Sequence, residues 1–196
     1  VNNGQNANGT WSLCIEDVSA FDAGNLVNWS INFNNTPALP PVVPTNDNPC
    51  NATPLLVGSS CSFSTYSTEL ATGTTGVPAP GCGSYSGGDV WFSVVVPAGG
   101  SFIIDSDEGT ITDGAMAVYI GTCSSLGLVA CDDDGSVNGL MPGITLSGLT
   151  PGSTVWIRFW EYGNDNPGTF GICVTTPPPP PTNDDPCNAT PLTVGA

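Results

Sequence analysis

The sequence predicts an all-β protein: an antiparallel β-sandwich of the jelly-roll type, stapled by disulfides and set within a tandem array. Three observations carry this. Twenty-five Gly and nineteen Pro, with Thr, Ser, Val and Asn filling much of the rest, call for short strands and frequent turns rather than helices. Eight Cys with no His fit disulfides, and so an oxidising, extracellular setting, far better than metal thiolates. The stretch from Pro44 to Gly58 returns from Pro181 to Gly195, changed only at Asn48/Asp185 and Leu56/Thr193, with Thr45 recurring as Thr182, 137 residues on. Identity that close marks the entrance to one module and then to a second copy of it.

Taken in order, residues 1–35 open on the turn pairs Asn3-Gly4 and Asn8-Gly9, followed by an alternating strand over Thr10–Ile15. A second strand runs over Leu26–Phe33 and puts Trp29, Ile31 and Phe33 on one face. Two strands cannot bury a core alone, so upstream sequence or another chain is expected to complete them. The pattern Gly9-Thr10-Trp11-x-Leu13-x-x-x-Asp17, then Asp22-x-Gly24-x-Leu26-x-x-Trp29-x-Ile31-x-Phe33, resembles the final strands of the P domain found beside subtilisin-like convertases and on bacterial secreted proteases. The resemblance covers the last third of that family and implies nothing catalytic. Residues 36–44, with four Pro among nine, read as an extended spacer, and the Pro-rich residues 175–181 repeat the device before a second module begins over 182–196.

Between the spacers lies one complete module, residues 45–174. Alternation and turn residues place strands near Thr53–Val57, Val90–Val96, Ser101–Ile104, Ala115–Ile120, Leu126–Ala130, Ile144–Leu149, Thr154–Trp160 and Thr169–Val174. Turns such as Pro97-Ala98-Gly99-Gly100 and Pro151-Gly152 punctuate them. Five blocks are similar, in the same order, to the bacterial pre-peptidase C-terminal family: Gly88–Val94, Asp113–Tyr119, Ala130–Gly135, Leu149–Arg158 and Gly168–Phe170. The similarity implies a β-sandwich appended to secreted enzymes or surface proteins, sometimes binding calcium or matrix polymers.

Charge narrows the partners. One basic residue, Arg158, stands against seventeen acidic ones, a formal charge of −16 that repels nucleic acid and anionic membranes alike. No apolar run approaches the roughly 20 residues that span a bilayer, so membrane insertion is not expected. Val1 shows no start Met or signal-peptide pattern, as in a mature or excised segment. Without His or Lys, only carboxylates remain for acid or base work, and no enzyme is expected. A glycosidase carboxylate pair finds no spacing that singles it out. Asn8, Asn28, Asn34, Asn51 and Asn188 each head an Asn-x-Ser/Thr triplet, read as ordinary Asn-rich turns.

Two constellations stand out. Asp132, Asp133 and Asp134 follow a strand and precede Gly135. At about 6 Å and an effective dielectric near 20 each pair repels by about 3 kcal/mol, so convergence favours a cation or a proton. Calcium is the natural hard cation for the oxygen ligands of such a loop, and the similarity to the pre-peptidase family implies Asp113 as a further ligand; solvated acids on an acidic surface are the alternative. Asp105–Gly109 reads as a second acidic loop, yet no EF-hand, since its twelfth position is Met116. In Val155–Trp160, alternation puts Val155, Ile157 and Phe159 on one face and Trp156, Arg158 and Trp160 on the other. A guanidinium between two indoles forms either a structural cation–π ladder or an exposed platform for a sugar or a neighbouring copy. The similar family often carries Arg at this point, which favours the structural role.

Six Cys within the module allow fifteen pairings. Cys123 with Cys131 would close a small loop around one strand, and Cys61 with Cys82 and Cys50 with Cys173 follow by elimination. Cys14 and Cys187 are expected to pair with residues upstream and downstream. The functional expectation is a non-catalytic structural or adhesive repeat of a large secreted or surface protein, stacked with neighbouring copies into a fibre or stalk. An accessory region behind a secreted protease, and a polysaccharide- or matrix-binding module, remain as alternatives.

Overall fold

In β4 (Val90–Val95) the even residues Val90, Phe92 and Val94 and the odd residue Trp91 are all buried, so this strand is covered on both faces. That double burial organises the molecule. The computed structural model describes residues 42–178, 181, 183 and 185–193. The chain divides between Val42 and Val43 into two units, and the second is the one described here. The expected P-like strands over 1–35, Cys14 among them, and the spacer as far as residue 41 lie outside the described residues.

The strands are β1 (Thr53–Pro54), β2 (Val57–Gly58), β3 (Ser64–Ser67), β4, β5 (Phe102–Glu108), β6 (Gly114–Thr122), β7 (Ser125–Asp132), β8 (Gly143–Leu146), β9 (Thr154–Glu161) and β10 (Thr169–Thr175). One sheet has the order β1-β4-β9-β6-β7; the other has β2-β10-β5-β8, with β3 also paired to β10. Their inward faces share one core, with Phe92, Val118, Ile157 and Phe159 from the first sheet against Phe102, Ile104, Phe170 and Ile172 from the second. The rings of Phe159 and Phe170 stack across it at 3.6 Å. The protein is therefore an all-β sandwich, as expected.

The sheets are mixed rather than purely antiparallel. The expected strand over Thr53–Val57 breaks at Leu55-Leu56: β1 runs parallel to β4 and β2 runs parallel to β10 in the other sheet. Pro54 lacks the amide a continuing ladder needs, so the chain crosses from one sheet to the other after Leu55 N donates to Ser93 O at 2.8 Å. One strand lies outside the expected set, and one further expectation is corrected. Strand β3 has one apolar-faced residue, Tyr66, and pairs only at the edge of β10, so it lacks an alternating pattern to read. Asp105–Glu108 is not a loop but the end of β5, paired with β10; Ser106 points inward and donates to Pro142 O, while Asp105 and Asp107 stay on the outer face.

The disulfides are Cys50–Cys123, Cys61–Cys173 and Cys82–Cys131, with Cα separations of 4.9, 5.5 and 5.8 Å. All three expected pairs, Cys123–Cys131, Cys61–Cys82 and Cys50–Cys173, are thereby overturned. Cys123 and Cys131 stand at opposite ends of β7, and an extended strand of that length holds its ends about 25 Å apart, far beyond disulfide reach. Cys131 lies opposite Ala117 on the outer face of the first sheet, where residues 77–85 pass over it and bring Cys82. Cys173 belongs to the second sheet and meets Cys61 there, whereas Cys50 precedes β1 at the first.

Candidate functional site

Above the outer face of the first sheet lies a second apolar cluster of Trp91, Ala115, Ala117, Tyr119 and Trp160, roofed by Val77, Cys82 and Tyr85. Small side chains at 115 and 117 let the roof come close: a Cβ on Gly83 would lie 2.6 Å from the Ala115 Cβ, and its φ of 57° is in the left-handed region glycine favours. Arg158 is sealed beneath this roof at 1% exposure, with its Nε 3.1 Å from Asp89 Oδ2. Its Nη2 donates to Thr74 O (3.1 Å), to Asp89 Oδ1 (3.2 Å) and to the Tyr85 hydroxyl. Asp89 in turn accepts from Tyr85 OH (2.6 Å), Thr74 Oγ1 (2.6 Å), Thr74 N (2.9 Å) and Trp91 Nε1 (2.7 Å).

Burial works to raise the Asp89 pKa, yet hydrogen bonds from Arg158, Thr74 and Tyr85 outweigh it and hold the carboxyl below its usual range. Burial, with the bond to Asp89, pushes the Tyr85 phenol up. The guanidinium sits over the rings of Tyr85, at 4.0 Å, and Trp91, at 5.3 Å. Alternation placed Trp156, Arg158 and Trp160 on one face correctly, but the expected pair of indoles is not the pair Arg158 meets. Nor is there a platform, because Trp160 is fully buried and Trp156 is partly covered. This is a bolt that fastens a roof to a sheet. Asp89, the carboxylate that makes it possible, was missed; its signal was a lone cation in a strand, which needs a buried counter-charge, and an acid directly preceding the apolar run Val90-Trp91-Phe92.

Asp132 is spent on its own loop: Oδ2 accepts from Gly135 N at 2.7 Å and Gly143 N at 3.0 Å. Gly135 is required there, since a Cβ would lie 2.5 Å from that oxygen. The structure does bring Asp113 towards Asp134 and Asp133, and adds Asp165; burial first and then these three charges raise the Asp113 pKa. Among the described residues, however, no group of three or more His, Cys, Asp or Glu is placed to hold a metal ion. The expected set of Asp113, Asp132, Asp133 and Asp134 is thus not gathered into one such group.

The duplicated entrance is a site of a different kind. Asn46, buried at 6% exposure, clasps the backbone of Trp91: Trp91 N donates to Asn46 O (2.8 Å) and Asn46 Nδ2 donates to Trp91 O (3.0 Å). Both Asp47 oxygens accept from Thr72, from its amide and its hydroxyl, each at 2.6 Å. A single 3-10 turn over Pro49–Asn51 then presents Cys50 to Cys123. Where the segment passes β10 it walls an uncharged groove of about 400 Å³, lined among others by Leu55, Ser62, Ser64 and Tyr66. Three disulfides point to an oxidising environment, and among the described residues no helix is long and apolar enough to cross a membrane. Comparison with family models, curated proteins and solved structures found no match.

Proposed function

We propose that this chain is a non-catalytic structural or adhesive repeat of an extracellular array. The observation that supports it best is the entrance segment. Its Asn46, Asp47, Cys50 and Leu55 are all engaged in fastening it to the sandwich, and the same residues recur from Asn183 to Leu192. A motif whose side chains are spent on assembly, and which is then repeated, serves assembly. The chemistry elsewhere is consistent with this: the one cation is buried in an ion pair, and the carboxylates of Asp47, Asp89 and Asp132 are tied to neighbouring backbone or hydroxyl groups.

In this reading the Pro-rich residues 175–181 space successive sandwiches, and the resemblances to P and pre-peptidase C-terminal domains describe the neighbourhood in which such repeats occur. The test is the parent polypeptide itself. Intact mass and sequence should show further copies of the 137-residue unit. A catalytic domain directly upstream, with no further copy, would overturn the array in favour of an accessory region behind a secreted enzyme.

A further inference from the structure

Asn183, Pro186, Cys187 and Leu192 are groups that are used in the first copy and stand idle in their own place. Asn46 and Pro49 are buried, whereas Asn183 and Pro186 are exposed. Leu55 packs against the core, whereas Leu192 is 93% exposed. Cys50 is bridged, whereas Cys187 is exposed and free. The local shape is nevertheless already formed: Pro186–Asn188 makes the same single 3-10 turn as Pro49–Asn51.

The two substitutions between the copies fall where docking loses nothing. Asn48 makes no side-chain cap to its turn, while Asp185 accepts from Cys187 N at 2.9 Å and tightens the second turn. Leu56 is 91% exposed in the docked copy, so Thr193 gives up no buried contact. A segment that already holds its docked turn, with docking groups unspent, is preorganised for a partner. The first copy defines that partner: the backbone of a strand residue placed like Trp91, a Thr amide and hydroxyl placed like Thr72, strand edges like those of β4 and β10, and a thiol placed like Cys123.

Resting on the repeat reading, we infer that residues 181–195 are the docking strand of a second sandwich of this chain's own kind, following in the same polypeptide and locked by a disulfide from Cys187. This chain's own slot is filled by its entrance segment, so the occupant's slot belongs to another sandwich. The bond forms by two exchanges with a low-molecular-weight disulfide. The Cys187 thiolate attacks it and releases one small thiol; the thiolate standing where Cys123 stands here then displaces the second. Two protein thiols are oxidised, and the small disulfide is reduced to two thiols.

A synthetic peptide of residues 181–195 tests the fit. It is offered, with oxidised glutathione, to the full chain carrying Asn46→Ala, Cys50→Ala and Cys187→Ala, in which the slot is loosened and Cys123 is unpaired. Peptide mapping should find the Cys187–Cys123 bond in excess, on the order of tenfold or more, over a scrambled peptide with the same single Cys. Equal capture of the scrambled peptide, or capture at Cys61, Cys82 or Cys131, overturns the proposal. If the triple variant does not fold, the same comparison is made on the unaltered chain in a mixed glutathione buffer, where the peptide must displace Cys50 from Cys123. Failed capture beside a parent polypeptide that still contains further copies sinks this docking alone; absence of further copies sinks the repeat reading instead.

Discussion

Arg158 shows how one residue can be costly and indispensable together. Its charge and that of Asp89 are both out of water, so the pair is stabilising only while it is complete. Arg158→Met should cost about 3–5 kcal/mol in denaturant unfolding, because Asp89 is left charged and buried without a cation. Adding Asp89→Asn to that variant should recover part of the loss. A single-variant cost below about 1 kcal/mol would mean that the roof is held by apolar contacts alone. The pH dependence follows from the direction of each shift. Asp89 has its folded pKa depressed, so its contribution is full above the usual carboxylate range and is lost as pH falls through the lower, folded value. Tyr85 has its folded pKa raised, so its contribution is present below the ordinary phenol range and is lost on further rise into strong alkali. Asp113, raised by burial and by Asp134, Asp133 and Asp165, opposes folding once ionised. Asp113→Asn should therefore raise the melting temperature at neutral pH, with or without calcium; a fall seen only in calcium would reveal an ion held there.

At the scale of elements, the entrance segment is the piece whose path decides the rest. It touches both sheets within six residues, pairing with β4 through β1 and with β10 through β2, and so acts as a clip across the sandwich edge. Cys50–Cys123 fastens the clip to the start of β7, while Cys82–Cys131 fastens the roof to the other end of that strand. Non-reducing peptide mapping of the folded chain should recover these two bonds and Cys61–Cys173, with Cys187 alkylated by a thiol reagent before reduction. Recovery of Cys123–Cys131 would contradict the β7 geometry. Cys61–Cys173 closes 112 residues, for which chain entropy gives about 4–5 kcal/mol at most, so the Cys61→Ala/Cys173→Ala variant should be the least stable of the paired-cysteine deletions.

Across the whole molecule, a formal charge of −16 spread over 196 residues, with its one cation buried, leaves nothing on the surface to balance the acids. Self-repulsion then works against the folded state and against side-by-side contact of copies. Salt should relieve both, because near 0.15 M the screening length is about 8 Å. Melting temperature should rise between low salt and about 0.5 M sodium chloride, and light scattering should show no lateral association at low salt. A melting temperature that falls with salt would mean that the buried pair, rather than surface repulsion, dominates the electrostatics. In the proposed array, such repulsion would suit an arrangement joined end to end through linkers and docking strands, where few acidic faces must approach one another.

The sequence by itself determined the class of the fold, most of the strands and the division of β9 into an inward face of Val155, Ile157 and Phe159 and an outward one of Trp156, Arg158 and Trp160. Those properties are written in local periodicity: Val155, Ile157 and Phe159 alternate with Trp156, Arg158 and Trp160 whatever the rest of the chain does. It also disclosed the duplicated entrance, which needs only comparison of the chain with itself. Strand β3 escaped because an edge strand facing solvent carries little alternation, and Asp105–Glu108 was misread because charges on the outer face of a strand look like a loop. Tertiary structure alone decided the partners. Which Cys meets which depends on how two sheets and a roof are stacked, so sequence proximity favoured Cys123–Cys131 where strand extension forbids it. Asp89 and Arg158 lie 69 positions apart and meet only because β4 pairs with β9. Asp132 looked like one of three equivalent carboxylates until the turn at Gly135 folded two amides onto it and took it out of the cluster. Local pattern fixes what each residue faces, but long-range pairing fixes whom it meets, and the chemistry of a site depends on the second.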